Sequence, residues 1–146
     1  MTSDSFHSPA GHVDRTVLTA VEQRLKSASY IRATYITVRH GKAILRGQFD
    51  LGYFPQDVED AYYDIRWYTS GDFEIHYQEN WHDGREWKRR WDSHPRDGKR
   101  THYHPPPDAG HPPEPARLPT NYYDVLGTIE SETIDHIRNH PLYSPE

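Results

Sequence analysis

The chain has 146 residues, of which 34% are apolar, and 22 acidic against 17 basic side chains give it a net charge of −5. The absence of cysteine excludes disulfides, thiolate metal sites and cysteine nucleophiles. No apolar run is long enough to cross a bilayer and the N-terminus lacks a secretory pattern, so we expect a cytoplasmic protein without membrane contact. Eleven Tyr, four Trp and four Phe must supply much of the core.

The N-terminal part predicts a tail followed by a helix. Residues 1–12 combine Ser, Pro, Gly and His with few apolar side chains, so we expect a flexible tail, and a single domain over residues 13–140. Asp14 is a suitable N-cap for the helix. Its apolar positions recur on one face and are Val17, Leu18, Val21 and Leu25.

From residue 30 the apolar period changes to two, which predicts strands. Five segments have this pattern: residues 30–39, 42–51, 61–69, 73–80 and 85–92. The dipeptides His40-Gly41 and Asp83-Gly84 are hairpin turn signals, and short links between consecutive strands imply antiparallel neighbours. We therefore expect an α+β fold with the N-terminal helix packed on a four- to five-stranded antiparallel meander.

The alternation of side chains assigns the two faces of this sheet. The core face is predicted to carry Ala43, Leu45, Phe49, Leu51, Ala61, Tyr63, Ile65, Trp67, Phe73, Ile75, Tyr77, Trp87 and Trp91. The opposite face is polar, aromatic and basic, and holds Arg46, Gln48, Tyr62, Asp64, Arg66, Tyr68, His76, Gln78, Lys88, Arg90 and Asp92.

Residues 93–120 hold eight of the twelve prolines together with four histidines, and show no strand or helix pattern. A loop of this length in a compact domain is usually functional or disordered. The chain then predicts a C-terminal helix over 121–139, capped near Asn121 and followed by Pro141.

Positive charge is concentrated in residues 85–104, where seven basic and three acidic side chains give a local balance of +4 within an acidic chain. Such a basic edge can attract a polyanion to one place. An acidic solubilising surface with an ordinary basic hairpin explains the same charges.

Residue types suited to phosphodiester chemistry lie at the end of the fifth predicted strand and beyond it. An arginine such as Arg90 can hold a phosphate, and a carboxylate such as Asp92 can orient an imidazole. Imidazoles can remove a proton from a 2′-hydroxyl and return one to the leaving oxygen. The acid and base candidates are His94, His102 and His104.

Plainer interpretations of these residues exist. Arg90 and Asp92 fit a cross-strand ion pair, and His102 and His104 fit surface positions or an adventitious metal site. A Zn²⁺ phosphodiesterase using Asp92 and the three histidines has enough ligands, although the spacing matches no metal signature. No phosphate-binding loop, dinucleotide motif or serine-hydrolase elbow is present, so no cofactor is expected.

Residues 30–107, and above all the fourth and fifth predicted strands and the histidine-rich loop, resemble the TumE-type toxin family of prokaryotic toxin–antitoxin systems. The resemblance lies in a Tyr-bearing strand, an Asp-Gly turn and two motifs, Arg90-Trp91-Asp92-Ser93-His94-Pro95 and His102-Tyr103-His104-Pro105. The chain departs from the family at Ser93, where Asn is common, and at His94, which precedes a proline.

The resemblance implies a growth-inhibiting toxin with a fold similar to the RelE and barnase group of ribonucleases. It implies metal-independent cleavage of RNA by 2′-hydroxyl attack, and a cognate antitoxin with a DNA-binding domain; a homodimer is also compatible. Tyr62, Tyr68 and Tyr103 can stack on unpaired bases. The expected substrate-binding residues are Arg66, Tyr68, Lys88, Arg89 and Tyr103. A non-catalytic module that binds RNA or protein through the same surface is the rival hypothesis.

Overall fold

A computed structural model describes residues 12–93, 101–110 and 113–143 of the chain. Its helices are α1 (Arg15–Lys26) and α2 (Tyr122–Arg138), with short 3₁₀ turns at Leu51–Tyr53 and Pro141–Tyr143. Its strands are β1 (Ile31–Arg39), β2 (Lys42–Phe49), β3 (Val58–Trp67), β4 (Phe73–Trp81), β5 (Glu86–Ser93), β6 (Thr101–His104) and β7 (Glu114–Ala116). None of the described helices is long and apolar enough to span a membrane.

The seven strands form one antiparallel sheet in the order of the sequence, from β1 to β7. This confirms the antiparallel meander and the α+β class. The expected number of four to five strands is wrong, since β6 and β7 extend the sheet beyond β5.

The two additional strands lie in the segment 93–120, where we expected none. β6 has only four residues, so its alternation is too short to stand out between prolines. Pro115 lies in β7, the last strand of the described sheet, where a strand can tolerate a missing N–H on its unpaired side. Strands this short gain their stability from pairing with their neighbours in the sheet rather than from their own composition.

Both helices pack on the same face of the sheet. α1 begins at the predicted cap, where the Asp14 side chain accepts a hydrogen bond from the backbone N–H of Val17. α2 is capped by Asn121, as the sequence predicts. The buried core joins the two helices to the predicted sheet face: Leu18, Val21, Leu25, Ala43, Leu45, Phe49, Ala61, Tyr63, Ile65, Trp67, Phe73, Ile75, Tyr77, Trp91, Val125, Leu126, Ile129 and Ile137.

One predicted core residue is misplaced. β2 ends at Phe49, and Leu51 begins the 3₁₀ turn with 38% of its surface exposed. The turn forms because the Asp50 side chain accepts a hydrogen bond from the backbone N–H of Gly52, which bends the chain away from the strand.

The sheet face opposite the helices, which we call the open face, carries the polar residues that the alternation predicts. Cross-strand pairs along it are Arg46 with Asp64, Asp64 with His76, and His76 with Arg90. A continuous polar row therefore crosses the sheet from β2 to β5.

Candidate active site

Four of the five predicted catalytic residues lie side by side on the open face. In the pairing of β5 with β6, Arg90 is opposite His104 and Asp92 is opposite His102. Residues two apart on a strand point to the same side, so this register places all four side chains on one surface. The fifth candidate, His94, lies outside the described residues.

Asp92 is the centre of this group. Its Oδ2 lies 2.9 Å from His104 Nε2 and 3.3 Å from Arg90 Nε, and its Oδ1 lies 3.6 Å from His102 Nδ1. A single carboxylate thus contacts one guanidinium and two imidazoles. We call these four residues the Asp92 cluster. The two contacts of Oδ2 are hydrogen bonds and orient His104 and Arg90, whereas His102 lies at ion-pair distance from Oδ1.

Burial divides the Asp92 cluster into two pairs. The side chains of Asp92 and His104 are only 4% and 5% exposed, whereas those of Arg90 and His102 are 26% and 20% exposed. Arg90 and His102 can therefore touch a bound molecule. Asp92 and His104 are largely shielded from solvent and contact these two residues or each other.

The environment of His104 favours its neutral form. Burial lowers the pKa of His104, and the nearby Arg90 guanidinium lowers it further, while Asp92 and the carbonyl of Gly110 oppose this change. His104 Nδ1 lies 3.3 Å from the Gly110 carbonyl oxygen. The ring is therefore held on both sides, by β5 and by the segment that comes after β6.

That segment, residues 105–110, is folded back onto β5. The N–H of Lys88 donates to the carbonyl of Pro107 at 2.8 Å, and the N–H of Ala109 donates to the carbonyl of Lys88 at 3.0 Å. A further bond joins the N–H of Gly110 to the carbonyl of Pro105 at 2.8 Å. Residues 105–110 of the proline-rich segment are thus held against β5 by backbone hydrogen bonds, next to the Asp92 cluster.

The expected substrate-binding residues divide between the two faces. Arg66 and Lys88 belong to the open face, and Tyr68, the residue after β3, is only 6% exposed. Arg89 and Tyr103 point to the helix side, because neighbours in a strand alternate. The structure therefore does not bring Arg89 or Tyr103 to the surface that carries the Asp92 cluster.

Arg89 contacts the aromatic core instead. Its guanidinium carbon lies 4.9 Å from the ring centroid of Trp91 and 5.4 Å from that of Trp87. It also donates to the carbonyl of Glu132 at 3.1 Å and lies 3.4 Å from the hydroxyl of Tyr103. These contacts anchor α2 to the sheet.

A second polar cluster, which the sequence patterns did not reveal, lies on the helix side of the sheet. Glu79 is fully buried, and its carboxylate accepts hydrogen bonds from His136, His140, Tyr77 and Trp81 at 2.6–2.8 Å. Burial alone would raise the pKa of Glu79, but these four hydrogen bonds lower it to about 2. Two features of the sequence could have indicated this cluster: a glutamate at a core-face position of the fourth strand, and two histidines four residues apart near the C-terminal helix.

Glu79, His136 and His140 also offer three metal-binding atoms within 4.8 Å of one another. The hydrogen bonds, however, do not fit metal ligation. His140 Nδ1 accepts the backbone N–H of Leu142 at 3.1 Å, so the proton of the neutral ring is on Nε2, the atom that faces Glu79. A histidine that ligates a metal through Nε2 has the opposite arrangement, with an unprotonated Nε2 and a donating Nδ1–H. The cluster therefore ties β4 by hydrogen bonds to His136 on α2 and to His140 just after it.

Comparison with protein families gives a match that spans most of the chain. The model of the family described as Toxin TumE matches residues 13–136, from just before α1 to near the end of α2. Comparison with curated proteins and with solved structures found no match. The matched range contains β5, β6 and the Asp92 cluster, and it extends the resemblance seen in the sequence to both helices. The chain belongs to the TumE toxin family.

Proposed function

We propose that this toxin is a metal-independent endoribonuclease whose active site is the Asp92 cluster on the open face. The observation that supports this most strongly is the contact of Asp92 with Arg90, His102 and His104, which combines a phosphate-binding group with acid–base groups. Arg90 and His102 keep part of their surface exposed, so both can reach a bound RNA.

In this proposal Arg90 binds the phosphate. A guanidinium can donate two hydrogen bonds to the non-bridging oxygens and stabilise the charge that develops as the phosphorus becomes pentacoordinate. Its Nε is already directed by Asp92, so part of its conformational freedom is lost before RNA binds. Arg90 is therefore prepared to hold the transition state.

His102 is the proposed proton-transfer group. It removes the proton of the 2′-hydroxyl, the 2′-oxygen attacks phosphorus, and the 5′-oxygen of the next nucleotide leaves with a proton from a second acid. The products are a 2′,3′-cyclic phosphate and a 5′-hydroxyl. Asp92 orients His102, His104 positions Asp92, and His94 remains the candidate for the second acid.

Membership of a toxin family implies a cognate antitoxin. We extend this to an antitoxin that carries a DNA-binding domain and is encoded beside the toxin. We expect a neighbouring gene with a helix-turn-helix sequence. Expression of that gene together with the toxin gene should restore growth.

The test of the proposed activity is incubation of the purified protein with a structured RNA in EDTA. The wild type should cleave, and Arg90→Ala and His102→Ala should each lower the cleavage rate by about 10²–10⁴-fold. His82→Ala is the matched control, because His82 is exposed and lies in the turn between β4 and β5, where it contacts Glu59. It should cleave like the wild type.

Three results would count against the proposal. Intact RNA after incubation with the wild type favours the binding module. Cleavage that disappears in EDTA and returns with a divalent cation favours the metal-dependent phosphodiesterase. If Arg90→Ala and His102→Ala cleave RNA at the wild-type rate, the active site lies elsewhere.

A further inference from the structure

A cavity of about 240 Å³ lies on the open face beside the Asp92 cluster. It spans β1 to β4 and opens to solvent. Its lining is polar and aromatic and consists of Arg39, Arg46, Tyr62, Asp64, Arg66, Glu74, His76 and Gln78. The proposed catalytic chemistry uses none of these residues.

The floor of the cavity contains a flat, rigid platform. Arg46 donates from Nε and Nη2 to the two carboxylate oxygens of Asp64, each at 2.8 Å. The same guanidinium lies over the Tyr62 ring, with its carbon 3.8 Å from the ring centroid. A guanidinium held by a bidentate ion pair and an aromatic ring loses little further freedom when another flat group stacks nearby. Such surfaces are suited to a nucleobase.

The cavity is continuous with the proposed catalytic residues. His76 lies opposite Arg90 in the pairing of β4 with β5, and its Nε2 is 2.9 Å from the Gln78 side-chain oxygen. Neighbouring strands are about 4.8 Å apart, so Arg46 on β2 and Arg90 on β5 are separated by roughly 14 Å across the sheet. A short single strand of RNA can span that distance.

The charge of the cavity favours an anion at its rim. Arg66 is only loosely paired, since its closest approach to Glu74 is 3.9 Å and both side chains are about one third exposed. Arg39 is exposed at the end of β1. Three arginines therefore face two carboxylates, Asp64 and Glu74, and Arg66 can exchange its weak ion pair for a phosphate.

We propose that this cavity is a nucleotide subsite for single-stranded RNA, in which an unpaired base stacks on the Tyr62–Arg46 platform and Arg66 binds the adjoining phosphate. The inference rests on the proposed function, because it places the subsite next to the bond that is cleaved. A duplex is excluded from this mode, since its bases are already stacked and cannot enter the cavity.

Binding can be measured without cleavage in a His102→Ala background. A fluorescent single-stranded RNA of mixed sequence, and the same RNA annealed to its complement, are titrated in EDTA at several salt concentrations. Tyr62→Leu should weaken single-strand binding at least about fivefold through the lost stacking. Arg66→Gln should reduce the slope of log affinity against log salt by about 0.7, as expected for one lost phosphate contact.

Arg138→Gln is the matched control, because Arg138 is exposed on α2 on the other side of the sheet. It should leave the single-strand affinity unchanged, and circular dichroism checks that each variant is folded. Unchanged affinity and salt slope for Tyr62→Leu and Arg66→Gln, or preference for the duplex, would overturn the subsite even if the wild type cleaves RNA. Weaker binding by both variants supports the subsite, and it does so independently of whether the cleavage assay upholds the catalytic proposal.

Discussion

Asp92 contacts all the other members of the proposed catalytic cluster, and it is buried while its neighbours Arg90 and His102 are partly exposed. Its two oxygens contact Arg90, His102 and His104, which come from two paired strands. A buried carboxylate is costly unless charged or donating groups surround it. The requirement that Asp92 be compensated therefore holds the catalytic candidates together before a substrate arrives.

Replacing Asp92 by Asn tests this positioning role. The amide is similar in size but carries no charge, so it no longer orients the imidazoles correctly, and the cleavage rate should fall by about 10²-fold or more. Asp92 also opposes the lowering of the His104 pKa. The NMR titration midpoint of His104 should therefore move to lower pH in Asp92→Asn.

Asp83→Asn is the control for that substitution, since Asp83 is exposed in the β4–β5 turn and pairs with Arg85. A wild-type cleavage rate in Asp92→Asn, together with an unchanged His104 midpoint, would show that Asp92 does not position these groups.

Single residues are predictable from the sequence where the two-residue period of a strand decides the outcome. Arg90 and Asp92 can be placed on one face in this way, and His102 and His104 can be grouped with them by their type and proximity. The same period separates Arg89 from Arg90, so charge alone is a poor guide to which arginine faces a substrate. Glu79 could not be assigned, because its histidine partners, His136 on α2 and His140 just after it, are far away in the sequence.

Among the secondary-structure elements, α2 is attached to the sheet by buried polar contacts as well as by apolar packing. The Tyr63 hydroxyl donates to Thr133 Oγ1 at 2.7 Å, and the threonine hydroxyl in turn donates to the Ile129 carbonyl at 2.8 Å. Both Tyr63 and Thr133 are fully buried. The pair therefore fixes the position of α2 over β3.

Thr133→Val should destabilise the fold by about 1–3 kcal/mol, because the Tyr63 hydroxyl keeps its burial and loses its acceptor. The double variant Tyr63→Phe/Thr133→Val should cost less than Thr133→Val alone, since both polar partners are then absent. Urea unfolding of the two variants and the wild type, together with Tyr63→Phe, measures the free energies of unfolding. If the free-energy costs of the two single variants add up to the cost of the double variant, the result would contradict a direct coupling between α2 and β3.

The strands and helices differ in how far the sequence predicts them. Both helices and the first five strands are evident from periodicity, caps and turn dipeptides. β6 and β7 are not, because four- and three-residue strands carry too little pattern and depend on the edge that β5 provides. The pairing of β6 with β5 places His102 and His104 beside Asp92 and Arg90.

In the molecule as a whole, the two faces of the sheet differ in the residues that they carry. The helix side holds the core and Glu79 with its histidine partners, and the open face holds the Asp92 cluster and the adjoining cavity. Of the basic residues in the described part of segment 85–104, Lys88 and Arg90 lie on the open face, where they can attract an anion.

The stability of the molecule should decrease in acid in two steps. Burial lowers the pKa of His136 below its usual 6.5, so below that pH the unfolded chain binds a proton that the folded protein does not. The pKa of Glu79 is lowered to about 2, so its contribution is complete above pH 4.5 and is lost as the pH falls toward 2. His104 acts in the same direction as His136.

Urea midpoints measured from pH 7.5 to pH 3 check this prediction. The wild type should lose stability below pH 6.5 and again below pH 4.5, whereas Glu79→Gln should lack the lower step. The exposed His82 gives the control, and His82→Ala should follow the wild-type curve. A midpoint that stays constant between pH 7.5 and pH 5.5 would contradict the neutral, buried state of His136.

The chemical nature of the RNA ends distinguishes cleavage by 2′-hydroxyl attack from hydrolysis by an activated water molecule, which leaves no cyclic phosphate. Mass spectrometry of fragments produced by the wild type in EDTA should show 2′,3′-cyclic phosphates, and an RNA with a 2′-deoxy sugar at the cleaved position should stay intact. Fragments with 5′-phosphates and 3′-hydroxyls, or equal cleavage of the 2′-deoxy substrate, would contradict the proposed mechanism.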